Sequence, residues 1–427
     1  MNSLERFENR FVSSEFLIST GILLFFFLSL VQPWNGVSKA FIMALVVPFA
    51  LWSLISKRID LKENLMIWVI FILLLVYLAI SSLVFSEAEP RQIKRHVKWC
   101  FEVFLFCVAV FIVSQYWLSK ANVYSNIFLI LVLIVSIWAV LGFHFIGVKA
   151  VSAYDPDLVK LRYGARLSWF GFLSHPIQGP SVVVSLYTIG IALYLHRSAV
   201  SFRSSLLVIL SFVSVFVLCF MSGSRGPIGA FLVVSVLFFF IACFKYSRNF
   251  WMPVLVFIGV LVAVLILNEF REVSSYLESL ISRGDSHRLK LWSAVYDASW
   301  AHPMIGFGVA TDFDLTVAGK ALHGIFGRDM SHSHNIFLHA FSMTGFIGLG
   351  MFLLFLFLLA LSLLMIKAPV LEKMVLLVVI FSMLLLTATE GYRLVSSPGE
   401  DWGVVWQPLF FVFGLLGLKK IDEQSEK

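Results

Sequence analysis

Apolar residues run along this chain in long blocks without a short period, separated by brief polar connections and by one polar stretch of roughly 65 residues. The blocks cover residues 16–33, 39–56, 65–85, 97–117, 123–146, 177–196, 204–222, 227–245, 251–268, 336–366, 371–389 and 403–418. Most are near the roughly 20 residues that carry a helix across a bilayer core. Over such a run in lipid, a helix satisfies its own backbone polar groups, whereas an irregular chain would not. The pattern therefore predicts an all-α polytopic membrane protein of about twelve transmembrane helices, with one large loop between spans 9 and 10. Residues 1–268 would hold the first nine spans, with a smaller loop near 147–176. Residues 269–335 would form the large loop with short amphipathic helices, and 336–427 the last three spans and a short tail.

Composition agrees with this pattern. Hydrophobic residues make up 60% of the chain and charged residues 13%, about half the charged share of an ordinary soluble domain. Cys100, Cys107, Cys219 and Cys243 all fall inside predicted spans, where they read as packing residues and not as a disulfide framework. The first apolar run lacks a small-residue cleavage pattern and reads as a retained span.

The net charge of +7 has a topological reading. With the N-terminus inside, Arg6, Arg10, Lys57, Arg58, Lys62, Lys120, Arg197, Arg203, Lys245, Arg248, Lys367, Lys373, Lys419 and Lys420 all fall on the cytoplasmic face. Both termini are then cytoplasmic, and the 147–176 loop, the Ser222–Pro227 turn and the 269–335 loop share the opposite face. The connection 86–98 departs from the rule, because it places Arg91, Lys94, Arg95 and Lys98 outside. Those cations read either as interfacial anchors or as ligands for phosphate.

Ionisable residues are otherwise rare, so their clustering in extramembrane turns marks candidate chemistry. Arg225 lies in Ser222-Gly223-Ser224-Arg225-Gly226-Pro227, a sharp turn that opens a helix. A guanidinium at a helix N-terminus suits a phosphate, although it equally suits an interfacial cap on a hairpin. Arg288 begins an amphipathic segment behind Asp285 and Ser286, with Trp292 four residues on, then His302-Pro303 and Gly306-Phe307-Gly308. A basic helix lying in the interface would look similar. His334, beside His332 and Asn335 where the polar loop meets span 10, is a candidate general base. A metal site of His332, His334 and His339 and a purely structural His334 are the alternatives. Gly345 and Gly348 fall on one helical face and would permit close packing. Arg162, Arg166 and His175, with Tyr163 and Trp169 among them, suit glycan and phosphate contact or a loop resting on headgroups. Glu390, Tyr392 and Arg393 end span 11 on the same face.

Taken together, His334-Asn335, nine residues, then Gly345-x-x-Gly348, the Ser-Arg-Gly turn at Arg225, and Arg288-x-x-x-Trp292 before His302-Pro303 resemble the O-antigen ligase and polymerase superfamily. Leu349, where family ligases often carry Thr or Val, departs from the pattern. The resemblance implies a bacterial inner-membrane enzyme that needs no cofactor. It would act on the periplasmic face and take a glycan from an undecaprenyl-pyrophosphate carrier. A ligase delivers it to lipid A–core oligosaccharide; a polymerase delivers it to another lipid-linked repeat.

On that reading Arg225 and Arg288 would bind the donor pyrophosphate without a metal. His334 would be the base of an inverting displacement, and Arg162, Arg166, His332, Asn335 and Arg393 would contact substrate. A lipid-linked glycan transporter is the non-enzymatic alternative. It fits less well, since the span centres are almost free of charge.

Overall fold

The computed structural model describes residues 3–32, 35–55, 64–142, 171–197, 201–246, 288–327, 329–330, 332–388, 390 and 392–425. In chain order the helices are α1 (Ser3–Val31), α2 (Asn35–Phe41), α3 (Val47–Ile55), α4 (Leu65–Ile80), α5 (Pro90–Ser119) and α6 (Ala121–Gly142). Next come α7 (Gln178–Leu195), α8 (Phe202–Ser222), α9 (Arg225–Lys245), α10 (Arg288–Ser299) and α11 (Val317–Phe326). The chain ends in α12 (Ile336–Met365), α13 (Val370–Ala388) and α14 (Gln407–Ser425). A π turn at Ile42–Val46 joins α2 to α3, another at Ser81–Phe85 extends α4, and a third at Trp402–Trp406 leads into α14.

Among the described residues, nine helices are long and apolar enough to cross a bilayer. Two shorter apolar stretches, Glu15–Val31 and Trp402–Leu416, fall on the first and last expected spans. The span expected at 251–268, the last residues 143–146 of the span expected at 123–146, residues 147–170 of the smaller loop and residues 269–287 of the larger one lie outside the described residues.

The chain divides into two compact units. The first comprises Met1–Leu45, Val113–Gly284 and Ala368–Leu386. Helix α7 is its centre, buried along nearly its whole length against α6, α8 and α9. Small hydroxyls knit it together: Ser211 Oγ donates to Leu129 O at 3.0 Å, and Thr188 Oγ1 and Ser382 Oγ share a hydrogen bond at 3.2 Å. Arg197, counted above among loop cations, is buried. It ties the end of α7 to the start of α6 by donating to Asn122 O at 2.7 Å and Asn126 Oδ1 at 2.6 Å.

The second unit comprises Val46–Ile112, Asp285–Lys367 and Thr387–Lys427. Aromatic rings fill its membrane part. Trp68, Trp402 and Trp406 are fully buried, with Trp68 against Phe111 at 5.2 Å and Phe413 at 5.1 Å, and Phe106 against Trp402 at 4.8 Å. Outside the apolar stretches, α10 and α11 pack as a small cap with its own core of Leu291, Val295, Phe307, Phe313, Ala318, Leu322 and Met343. Thr316 starts α11 by accepting from Gly319 N at 3.1 Å, and Gly327 ends it in the left-handed conformation.

Two expectations are corrected in this unit. The basic stretch 86–98 is for the most part not a loop, because α5 is a single 30-residue helix that begins at Pro90. At 1.5 Å per residue it is roughly 45 Å long, against a hydrocarbon core of about 30 Å, so its charged first turns extend past the lipid.

Gly345 does not lie on a packing face of a continuous helix. It has φ 65° and ψ −166°, and α12 breaks there. The segment Pro303–Gly308 fits into the break and satisfies the backbone groups that it frees. Phe346 N donates to Pro303 O at 2.8 Å, Phe307 N to Ser342 O at 3.0 Å, and Gly308 N to Met343 O at 3.0 Å. Beyond the break, α12 has 20 residues left, enough to cross the core. Gly348 does serve close packing, since a Cβ there would stand 2.9 Å from the Tyr77 ring of α4.

Tyr77 also closes the break from the side, its hydroxyl donating to Thr344 O at 2.7 Å. Tyr77→Phe is expected to cost about 1 kcal/mol, the usual net value of one such bond. A lowered melting temperature in detergent would report it, and an unchanged one would show that the hydroxyl does not support the break.

Candidate functional site

The turn between α11 and α12 sets the first functional side chain. Asn335 caps α12, its Oδ1 accepting from Phe337 N at 2.9 Å and Leu338 N at 3.0 Å. Its Nδ2 donates to Ala388 O at 2.9 Å, fastening the turn to the end of α13. Both ends of this amide thus serve the fold. Ser333, fully buried, donates to Asn335 O at 2.8 Å and closes the other side.

Held between these anchors, His334 adopts φ 54°. Among the described residues it is the one non-glycine with positive φ. The left-handed region costs an L-residue roughly 1–2 kcal/mol, so here the anchors impose the conformation.

Glu390, two residues beyond the Ala388 end of that link, is 3% exposed. Its Oε1 accepts from Arg288 Nη2 at 3.1 Å, and its Oε2 lies 3.9 Å from His334 Nδ1. One buried carboxylate thus faces a guanidinium and an imidazole with different oxygens. The 3.9 Å approach is an ion-pair separation and not yet a hydrogen bond, and His334 Nδ1 is buried without a hydrogen-bond partner. Such distances commonly shorten once substrate is bound. Arg288 and His334 are each about a quarter exposed at the side chain, so the pair borders an accessible space.

Arg288 owes its place to α10, which it opens. Leu291 and Val295 bury that helix in the cap core, and α10 packs on α12. The expected helix start at Asp285 and Ser286 lies outside the described residues. The His332 ring lies 4.2 Å from that of His334, edge to face. His339, named in the alternative metal reading, is buried in α12 with its ring 5.4 Å from Phe313. Among the described residues no three His, Cys, Asp or Glu side chains gather as a metal-binding group.

Arg393 is exposed on the turn after α13, three residues beyond Glu390. Its backbone N donates to Asp401 Oδ1 at 2.8 Å. Burial pushes the Asp401 carboxyl above its ordinary range, against hydrogen bonds from Ser396 and Arg393 N and the Arg393 charge. Trp406 Nε1 donates to Leu394 O at 3.0 Å and completes the clamp on this turn. The same unit therefore brings Arg288, His332, His334, Asn335 and Glu390 together and holds the turn that carries Arg393.

Arg225 belongs to the first unit. Gly223 ends α8 in the left-handed conformation at φ 63°, and Arg225 is the first residue of α9. Pro227 falls within the first helical turn, where its missing N–H removes no helical bond. Arg162 and Arg166 lie outside the described residues, whereas His175 is exposed at the start of α7. The sequence marked Glu390 only as one of three residues that end span 11 on the same face. The available signal was its position as the lone acid closing an apolar span.

With this geometry in place, comparison with known families gives one match. Residues 206–353 match the family model described as O-Antigen ligase, so the resemblance drawn from the motifs holds over α8 to α12. Arg225, Arg288, His334 and Gly345 fall inside the matched segment, while Glu390 and Arg393 fall outside it. No curated protein matches the chain. The match and the apolar helices support a multi-pass membrane protein with a glycosyl-transfer function of the ligase or polymerase type.

Proposed function

We propose, with the O-antigen ligase match as premise, that the chain moves a glycan from an undecaprenyl-pyrophosphate carrier to lipid A–core oligosaccharide. The reaction would take place on the periplasmic face of a bacterial inner membrane, with both termini cytoplasmic. The observation that carries this reading is the shared carboxylate of Glu390 between Arg288 and His334.

In the proposed step the acceptor hydroxyl attacks the anomeric carbon as the bond from that carbon to the pyrophosphate oxygen breaks. The hydroxyl proton passes to His334, and the electron pair of the broken bond leaves on the carrier pyrophosphate. Arg288 offsets the negative charge that develops there. Glu390 orients His334 and stabilises the imidazolium that forms, much as a buried acid serves a histidine base. Already engaged by Arg288, it is poorly placed to act as a nucleophile, which favours a single inverting displacement over a covalent intermediate.

Glu390→Gln keeps the shape and removes the charge. It is expected to lower kcat about tenfold to hundredfold, the equivalent of one lost charge-assisted contact. An unchanged kcat in that variant would remove Glu390 from the mechanism.

Joining lipid-linked repeats to one another is the second reading, left open by Leu349 at a position where ligases often carry Thr or Val. Product mass separates the two. Purified full-length protein in nanodiscs, given lipid-linked glycan and lipid A–core, should yield glycan on the core. Longer lipid-linked chains with bare core would establish the polymerase.

A further inference from the structure

The cations at the start of α5 are not absorbed by the proposed chemistry, and their arrangement is specific. Arg91, Lys94, Arg95 and Lys98 are all exposed and follow i, i+3, i+4, i+7 spacing, which places them in one stripe along two helical turns. Lys98 pairs with the buried Glu102 at 3.0 Å. Arg91, Lys94 and Arg95 make no ion pair among the described residues.

The stripe is fixed to the cap that carries the candidate site. Gln92 Nε2 donates to Asp312 Oδ2 at 3.0 Å, Glu87 N to Thr311 Oγ1 at 2.9 Å, and Ala310 N to Ser86 Oγ at 2.9 Å. Gly308 reinforces this docking, since a Cβ there would stand 2.5 Å from Ser86 Cα. His96, on the same turns of α5, lies close enough to Arg393 and Asp312 to feel both charges. Four cations gathered on the face of the cap run against the charge rule that the short connections otherwise follow. An anionic partner on that face would account for them.

We propose that the stripe Arg91, Lys94, Arg95 and Lys98 docks the phosphorylated glycan of the acceptor glycolipid, presenting it to the site in the same unit. This rests on the glycosyl-transfer reading for the identity of the acceptor. The stripe itself is defined by charge and geometry alone. Guanidinium and ammonium groups about one helical turn apart suit several phosphates spread along a sugar chain better than a single buried anion. The Gln92–Asp312 bond keeps the stripe and the cap in register, so docking positions the acceptor without touching the reacting atoms.

Binding tests this separately from transfer. The purified full-length protein, in nanodiscs of phosphatidylcholine, is titrated with soluble phosphorylated core oligosaccharide and with the same oligosaccharide after phosphatase treatment. The phosphorylated form should bind the tighter of the two. A variant carrying R91Q, K94Q, R95Q and K98Q should bind it roughly tenfold or more weakly, the scale of one lost charged contact. R91K with R95K, which preserves the charge, should stay near wild type, and a cooperative melting transition should show that all variants are folded, K98Q lowering it because Glu102 loses its partner.

Equal affinity of wild type and the quadruple variant for the phosphorylated oligosaccharide would overturn the proposal. So would equal affinity of the wild type for the two oligosaccharides. If instead the variant loses only stability in phosphatidylglycerol nanodiscs, the stripe holds bilayer headgroups and the acceptor assignment falls. Failure of glycan transfer in a wild type that still binds the oligosaccharide through the stripe would count against the proposed function and leave the docking surface intact.

Discussion

Gly345→Ala should unfold the junction between the cap and the membrane part of its unit, with a loss of about 4 kcal/mol or more. Two independent costs combine there. At φ 65° an alanine is strained whatever its neighbours. Its Cβ would also stand 2.2 Å from Met304 C, 2.3 Å from Met304 O and 2.4 Å from Ile305 N. These are backbone atoms of the segment that fills the break in α12, so no rotamer change relieves the overlap. Either Pro303–Gly308 leaves the break, exposing the carbonyls of Ser342 and Met343, or α12 re-forms as a continuous helix and tears the cap away. Both displace the anchors of Arg288 and His334.

Gly350→Ala is the matched control. A Cβ there meets nothing within 4 Å, so that variant should melt at or slightly above the wild-type temperature. Thermal unfolding in detergent with limited proteolysis of the cap reads both. A Gly345→Ala protein as stable as Gly350→Ala would show that the break is not required.

The nine long apolar helices among the described residues were legible in the sequence because an apolar run of about 20 residues has few other stable uses. The turn at Arg225 was legible for a related reason. Pro227 suits the first turn of a helix and stands in the first turn of α9, while Gly223, free to adopt positive φ, ends α8.

The break at Gly345 was not legible. A glycine in an apolar helix reads as a packing residue, and the atoms that forbid a side chain there come from Met304 and Ile305 in another segment. The start of α5 was misread because charge alone suggested a loop, although the i, i+3, i+4, i+7 spacing of its cations was already that of a helix. Glu390 was noticed but undervalued. It is 102 residues from Arg288, and no sequence spacing links two groups that only tertiary packing brings within 3.1 Å. Asn335, named in the sequence for substrate contact, caps α12 and holds the turn that puts His334 at positive φ.

His334→Ala should remove the base and leave the rest of the site standing. General-base catalysis contributes roughly 10²- to 10⁴-fold, so transfer should fall by that factor or to background. The fold should survive, because the turn is held by Ser333 and Asn335 and not by the imidazole. Alanine tolerates positive φ less well than histidine does, and a modest drop of the melting temperature is expected.

Donor affinity should be nearly unaffected, because Arg288 keeps its contact with Glu390. The decisive measurement is therefore the initial rate of glycan transfer from a purified undecaprenyl-pyrophosphate donor by full-length protein in nanodiscs, taken beside donor affinity for wild type and His334→Ala. The account predicts a rate at least about a hundredfold lower at equal donor affinity. Transfer by His334→Ala within a few-fold of the wild-type rate would contradict it.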